Sequence, residues 1–126
     1  MKTILATGVL FAFISIIMSA LSSHALRDIL NENSATNNFA LANKFMMYHA
    51  LALILIAILY HLFPDINFNY VAYAFIAGSI MFQGILYLKS FYPESTLGFL
   101  NPIGGSVLML GWLYFLYLVI KEVKSI

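Results

Sequence analysis

Residues Phe45–Leu88 read FMMYHALALILIAILYHLFPDINFNYVAYAFIAGSIMFQGILYL, with one Asp and no Lys, Arg or Glu. Pro64-Asp65-Ile66-Asn67 divides this stretch into two uncharged windows, Phe45–Pro64 and Ile66–Leu88, each of at least 20 residues. A helix of about 20 residues crosses a hydrocarbon core of roughly 30 Å. A formal charge at its centre costs about 2.5–3.5 kcal/mol, so charges are excluded where lipid would lie. The reading is an antiparallel transmembrane hairpin, with Asp65 or Asn67 capping the return helix at the positive end of its dipole.

Outward from the hairpin, Thr3–Leu26 and Ser95–Ile120 are also free of Lys, Arg, Asp and Glu. The chain of 126 residues is therefore expected to be all-α: an integral membrane bundle of four transmembrane helices, at about 3–23, 37–63, 68–89 and 102–123. A short interfacial segment follows the first helix, with Leu26, Ile29 and Leu30 on its apolar side. Residues 1–126 make a single transmembrane domain. Met1-Lys2, the apolar run and Ser23-His24-Ala25 also resemble a signal peptide, but the run exceeds the usual 7–15 residues, and the segment is expected to be retained as a helix.

Composition narrows the function. A net charge of +1 gives no reason to expect nucleic acid. With no cysteine there is no disulfide, thiolate metal site or Cys nucleophile. No carboxylate, Cys or paired ligand stands at membrane depth, so the chain is expected not to be an enzyme and to carry no cofactor or metal.

Lipid offers helices no gain from burying Leu against Leu; they associate where small residues let backbones approach. In the first helix Gly8, Ala12, Ser15 and Ser19 form such a stripe and should face another helix, with Phe13 and Ile17 outward. Gly78 and Gly84 in the third segment and Gly104 and Gly111 in the fourth are expected to pack in the same way. Ser34 or Thr36 is the expected N-cap of the second helix. Asn101 followed by Pro102 has the form of an N-cap and first helical residue. The free N–H groups at Asn101-Pro102-Ile103-Gly104-Gly105 also read as an anion cradle, against which tight helix packing is the default.

Four polar residues form a candidate cluster: His24, His49, Gln83 and Asn101. Topology puts the end of the first helix and the start of the second on one side of the membrane, so His24 and His49 are expected to be neighbours there. Each imidazole either bonds a nearby helix end or handles a proton or ligand; two histidines without a carboxylate are a weak metal signal. Gln83 is expected to make an interhelical hydrogen bond. Tyr60-His61 reads as an interfacial belt, and Trp112, Tyr114 and Tyr117 as an aromatic face for packing and anchoring.

Several motifs in this order resemble one family. They are Ser23-His24-Ala25-Leu26, Tyr48-His49-Ala50-Leu51-Ala52-Leu53, Gly78-Ser79-Ile80-Met81-Phe82-Gln83-Gly84-Ile85-Leu86-Tyr87, Pro102-Ile103-Gly104-Gly105 and Gly111-Trp112. The chain resembles the YgdD family, the domain of unknown function number 423, whose eukaryotic relatives are small mitochondrial membrane proteins. Departures are Ser22-Ser23-His24 for the usual Gly-Ala-His, Phe45-Met46 for a usual Tyr-Gln pair, and Gln83 for a small residue. The resemblance implies a four-helix inner-membrane protein and supplies no reaction, cofactor or catalytic residue.

The expected partners are the lipid bilayer and, beyond it, other membrane subunits or the chain itself. The leading functional expectation is a non-enzymatic accessory or scaffold subunit; the alternative is a small transporter or lipid-handling protein acting as an oligomer. A multi-pass location in a bacterial inner membrane, or a mitochondrial one, follows. Lys and Arg divide evenly between the two sides, and the acidic Asp28, Glu32 and Glu94 tip the expectation towards termini on the cytoplasmic or matrix side.

Overall fold

The computed structural model describes residues 1–124. These form α1 (Lys2–Ser22), α2 (Arg27–Glu32), α3 (Thr36–Leu62), α4 (Asn69–Phe91) and α5 (Leu100–Glu122), with a 3₁₀ turn at Thr96–Phe99 before α5. Among the described residues, four helices are long and apolar enough to cross a membrane: α1, α3, α4 and α5 with its leading turn. The protein is an all-α membrane bundle. α3 and α4 form its centre; α1 lies along α3, and α5 along α4.

Small residues set both outer contacts. A Cβ added to Gly8 would come 2.9 Å from the Ala50 carbonyl oxygen. Two turns on, the Ser15 hydroxyl donates to the Asn43 carbonyl at 2.8 Å. α1 therefore runs antiparallel to α3 with Gly8 opposite Ala50 and Ser15 opposite Asn43. Gly8 and Ser15 are buried, Ala12 is half-buried, and Phe13 and Ile17 face outward. Ile4 and Phe11 complete the buried stripe. Ser19 is exposed, on a groove of about 500 Å³ that it shares with Ser22, Asn43 and Lys44.

α4 and α5 approach more closely still. A Cβ on Gly104 would lie 2.5 Å from the Phe82 nitrogen, so at this point backbone packs on backbone. Gly78 lies against Leu108, and Gly111 against Ala74 and Phe75. Gly84 does not join this seam: a Cβ there would meet nothing within 4 Å. It stands six residues from Gly78, which turns it well away from that helix face.

The connections follow local chemistry. Leu30 is fully buried, Leu26 half-buried and Ile29 exposed, so the interfacial segment touches the bundle mainly through Leu30. Ser34 has φ 52 and closes α2 instead of capping α3: its N–H donates to the Asn31 carbonyl and that of Ala35 to the Leu30 carbonyl. The Thr36 hydroxyl donates to Asn31 Oδ1, leaving α3 with Ala35 as N-cap and no side-chain cap. In the α3–α4 turn, Asn67 Oδ1 accepts the Asn69 N–H at 3.0 Å. Asn101 is not an N-cap, because the 3₁₀ turn runs directly into α5 and places Asn101 within its first turn.

Candidate functional site

α3 runs from Thr36 to Leu62, so His49 stands at its midpoint and not at the membrane surface beside His24. It is buried and has a partner on each ring nitrogen. Trp112 Nε1–H donates to Nε2 at 3.0 Å, and Nδ1 lies 2.7 Å from the Phe45 carbonyl oxygen. Indole N–H only donates, so Nε2 must accept and Nδ1 must carry the proton that Phe45 receives. The two partners thus select one neutral tautomer, at the depth where an unsatisfied polar group costs most. Phe75 packs edge-on to His49 at 5.2 Å and against Trp112 at 4.7 Å, wedging the pair from α4.

His49 and Trp112 lie at the inner end of a groove of about 710 Å³ between α3 and α5. Its walls include Phe45, Tyr48, Phe82, Leu108 and Met109. Nearer the membrane surface lies a second, polar pocket of about 310 Å³, whose lining includes Asn33, Ser34, Asn38, Lys89, Ser90 and Asn101. Asn101 stands between the two: it lines the pocket, and its Nδ2 donates at 2.9 Å to the carbonyl of Phe82, which lines the groove. The bond follows from the close approach at Gly104, three residues on and on the same face of α5. Gly105, one turn below Asn101, continues the wall. Along α5 the pocket and then the groove follow one another, a track that is polar at the surface and apolar inside.

The helices that frame the track are tied by polar contacts that the sequence reading missed. Tyr87 Oη donates to Asn43 Oδ1 at 2.6 Å, so Asn43 links α1, α3 and α4. Asn33 Nδ2 donates to the Ser90 carbonyl at 2.8 Å, holding the end of α2 to the end of α4. Asn43 lies between Lys44 and a run of small and apolar residues, a position at which an interhelical amide could have been expected.

The four expected cluster residues do not come together. His24 is exposed in the turn after α1. The α1–α3 register puts it roughly 20 Å along the bundle from His49 at 1.5 Å per residue. His24 lies past the end of α1, level with the start of α3, whereas His49 stands near the middle of that helix. Gln83 is fully buried, yet neither its Oε1 nor its Nε2 has a hydrogen-bond partner within the chain. Ser79, one turn earlier, is equally buried and its hydroxyl equally unpartnered. Both share a helical stripe with Tyr87, which reaches Asn43 on α3, and with Ser90, whose hydroxyl bonds back to the Leu86 carbonyl. The expected Gln83 hydrogen bond is absent because the neighbouring core is built from apolar side chains. Among the described residues no three His, Asp or Glu side chains are grouped to hold a metal ion.

Residues 18–105 match the profile of a family described as "Protein of unknown function (DUF423)". The chain belongs to this family. The match takes in the turn after α1, all of α3 and α4 and the first turn of α5, hence His49, Lys89 and Asn101. Relatives similar to this chain carry membrane-protein names. The "UPF0382 membrane protein SAB0533" of Staphylococcus aureus (strain bovine RF122 / ET3-1) is 30% identical over 113 residues, 90% of this chain and 91% of the relative. A "UPF0382 membrane protein" of Staphylococcus epidermidis (strain ATCC 12228 / FDA PCI 1200) is 29% identical over 96% of this chain and 98% of its own length. The "UPF0382 membrane protein YwdK" of Bacillus subtilis (strain 168) is 25% identical over the same shares. No solved structure matches the chain.

Proposed function

We propose that this DUF423 protein is a non-enzymatic lipid-binding component of a bacterial inner membrane, with both termini on the cytoplasmic side. The observation that carries the reading is the groove of about 710 Å³ that runs between α3 and α5 to the His49–Trp112 pair. Its walls are apolar and aromatic, and its polar groups at mid-depth are already bonded to each other. Such a site suits an alkyl chain, with shape and burial as the source of affinity. It offers no nucleophile with a neighbouring base, so chemistry on the ligand finds no support there.

Of the two expectations drawn from sequence, lipid handling thereby gains a site. The accessory or scaffold reading rests on the outer faces of α1 and α5, where Phe13, Met109 and Ile120 are open. Those faces have the ordinary composition of helices against lipid; self-association or a second subunit would use them. The bacterial relatives named as membrane proteins support the location.

Mass spectrometry of the protein purified in mild detergent tests the reading. Gly105 has Phe82 ring atoms 3.4 Å from an added Cβ, so the larger side chain of Gly105→Leu projects into the track. The expected result is bound lipid on the native chain and its loss from Gly105→Leu. A native chain without lipid, or lipid retained equally by both, contradicts it.

A further inference from the structure

We propose that the polar pocket at the mouth of the groove receives an anionic, phosphate-bearing lipid headgroup held by Lys89, while the lipid's chain follows the groove to His49 and Trp112. This inference rests on the groove holding a chain, as proposed above, and adds the class of lipid.

The charge of the pocket sets the sign. Lys89 supplies its formal charge, and no Asp or Glu lines it. Asn33, Ser34, Asn38 and Asn101 surround that ammonium with neutral polar groups suited to phosphate and glycerol oxygens. Lys89 is also positioned from below: its Nζ would lie 3.0 Å from a Cβ on Gly98, so the bare backbone of the 3₁₀ turn makes room for the ammonium. A side chain at Gly98 would push it away.

Depth agrees with charge. Lys89 stands two residues before the end of α4, at headgroup level. From Lys89 to Phe82 on α4, then from Gly104 to Trp112 on α5, the track covers roughly 20 Å at the helical rise. One leaflet's share of the hydrocarbon is about 15 Å. A single lipid of the adjacent leaflet can therefore span the track from its phosphate to mid-membrane. A lysine that merely snorkels to the surface would not need a pocket, nor a groove that begins beneath it.

Trp112 is the chain's single tryptophan and lines the groove; it is 44% exposed, so bulk lipid quenches it as well, and occupancy is read from the difference between native protein and variants. Vesicles of phosphatidylcholine and phosphatidylglycerol are prepared with bromine on the chains of one lipid or the other, and quenching of Trp112 is compared. The expected result is about a fivefold preference for the brominated phosphatidylglycerol, the contribution of one basic side chain near an anionic headgroup. Lys89→Gln should abolish the preference while phosphatidylcholine still quenches. Lys44→Gln, which removes a lysine outside the pocket, should leave it intact. Equal quenching by both lipids in the native protein, or a preference that survives Lys89→Gln, overturns the headgroup site. So does loss of the preference in Lys44→Gln, which would make it a general surface effect. Abolition of the preference by inorganic phosphate overturns the lipid as occupant. Quenching by both lipids that is unchanged in Gly105→Leu, which fills the groove, overturns the groove reading itself.

Discussion

The indole nitrogen of Trp112 donates to Nε2 of His49 at 3.0 Å, joining α5 to α3 across 63 residues of sequence. The bond bridges the two helices that wall the groove and fixes the imidazole tautomer. Interhelical hydrogen bonds in membranes contribute about 0.6 kcal/mol on average and rarely exceed about 1.7 kcal/mol. A double-mutant cycle of His49→Leu and Trp112→Phe, read from unfolding in bicelles, should give a coupling of about 1 kcal/mol. Strict additivity would mean the pair does not hold the helices together.

Gly104 should be the least replaceable glycine. Gly104→Ala places a methyl against the α4 backbone and should destabilise the bundle by about 1–3 kcal/mol, as overpacking does. Gly84→Ala meets open space and should be neutral or stabilising by about 0.5–1 kcal/mol, since a helix-interior glycine is exchanged for alanine. Unfolding of the two variants side by side checks the contrast; equal effects would contradict the α4–α5 seam.

The α1–α3 contact predicts a similar asymmetry. Gly8→Leu should separate α1 from Ala50, whereas Phe13→Leu changes a side chain that is 61% exposed. Protease sensitivity of α1 in detergent should rise for the first variant and stay near native for the second.

Gln83 buries both polar atoms of its amide without a partner in the chain. An unsatisfied buried group costs about 1–3 kcal/mol. Gln83→Leu should therefore raise stability by that order, with Ser79→Ala acting in the same direction but less. A fall in stability for Gln83→Leu would mean that the amide is satisfied in the membrane.

Charge exclusion made the four crossings legible, because a formal charge inside lipid is costly wherever the helix lies in the fold. Gly8, Ser15, Gly78, Gly104 and Gly111 were legible for a related reason: small residues at helical spacing have few other uses in lipid. Gly84 shows the limit, since spacing alone does not say which face a neighbour covers. The groove was not legible at all. It depends on α3 and α5, separated in the chain by α4, meeting through His49 and Trp112, and on Asn101 reaching Phe82 instead of capping its own helix. His49 itself stood out as an ionisable residue in an apolar run, and a helix over about 37–63 already put it near mid-span; the expected neighbourhood with His24 overlooked that the first helix ends about half a span away.

The central claim is that a lipid chain lies in the groove between α3 and α5. Nuclear Overhauser contacts between lipid methylenes and the protein in nanodiscs test it most directly. His49 and Leu108 line the groove and are only 3% and 4% exposed, so a lipid chain comes within Overhauser distance of them only by lying along the groove. The account predicts lipid contacts to the His49 ring and the Leu108 methyls, lost in Gly105→Leu. Contacts confined to outward side chains such as Phe13 and Ile120, with none to His49 or Leu108, would contradict it.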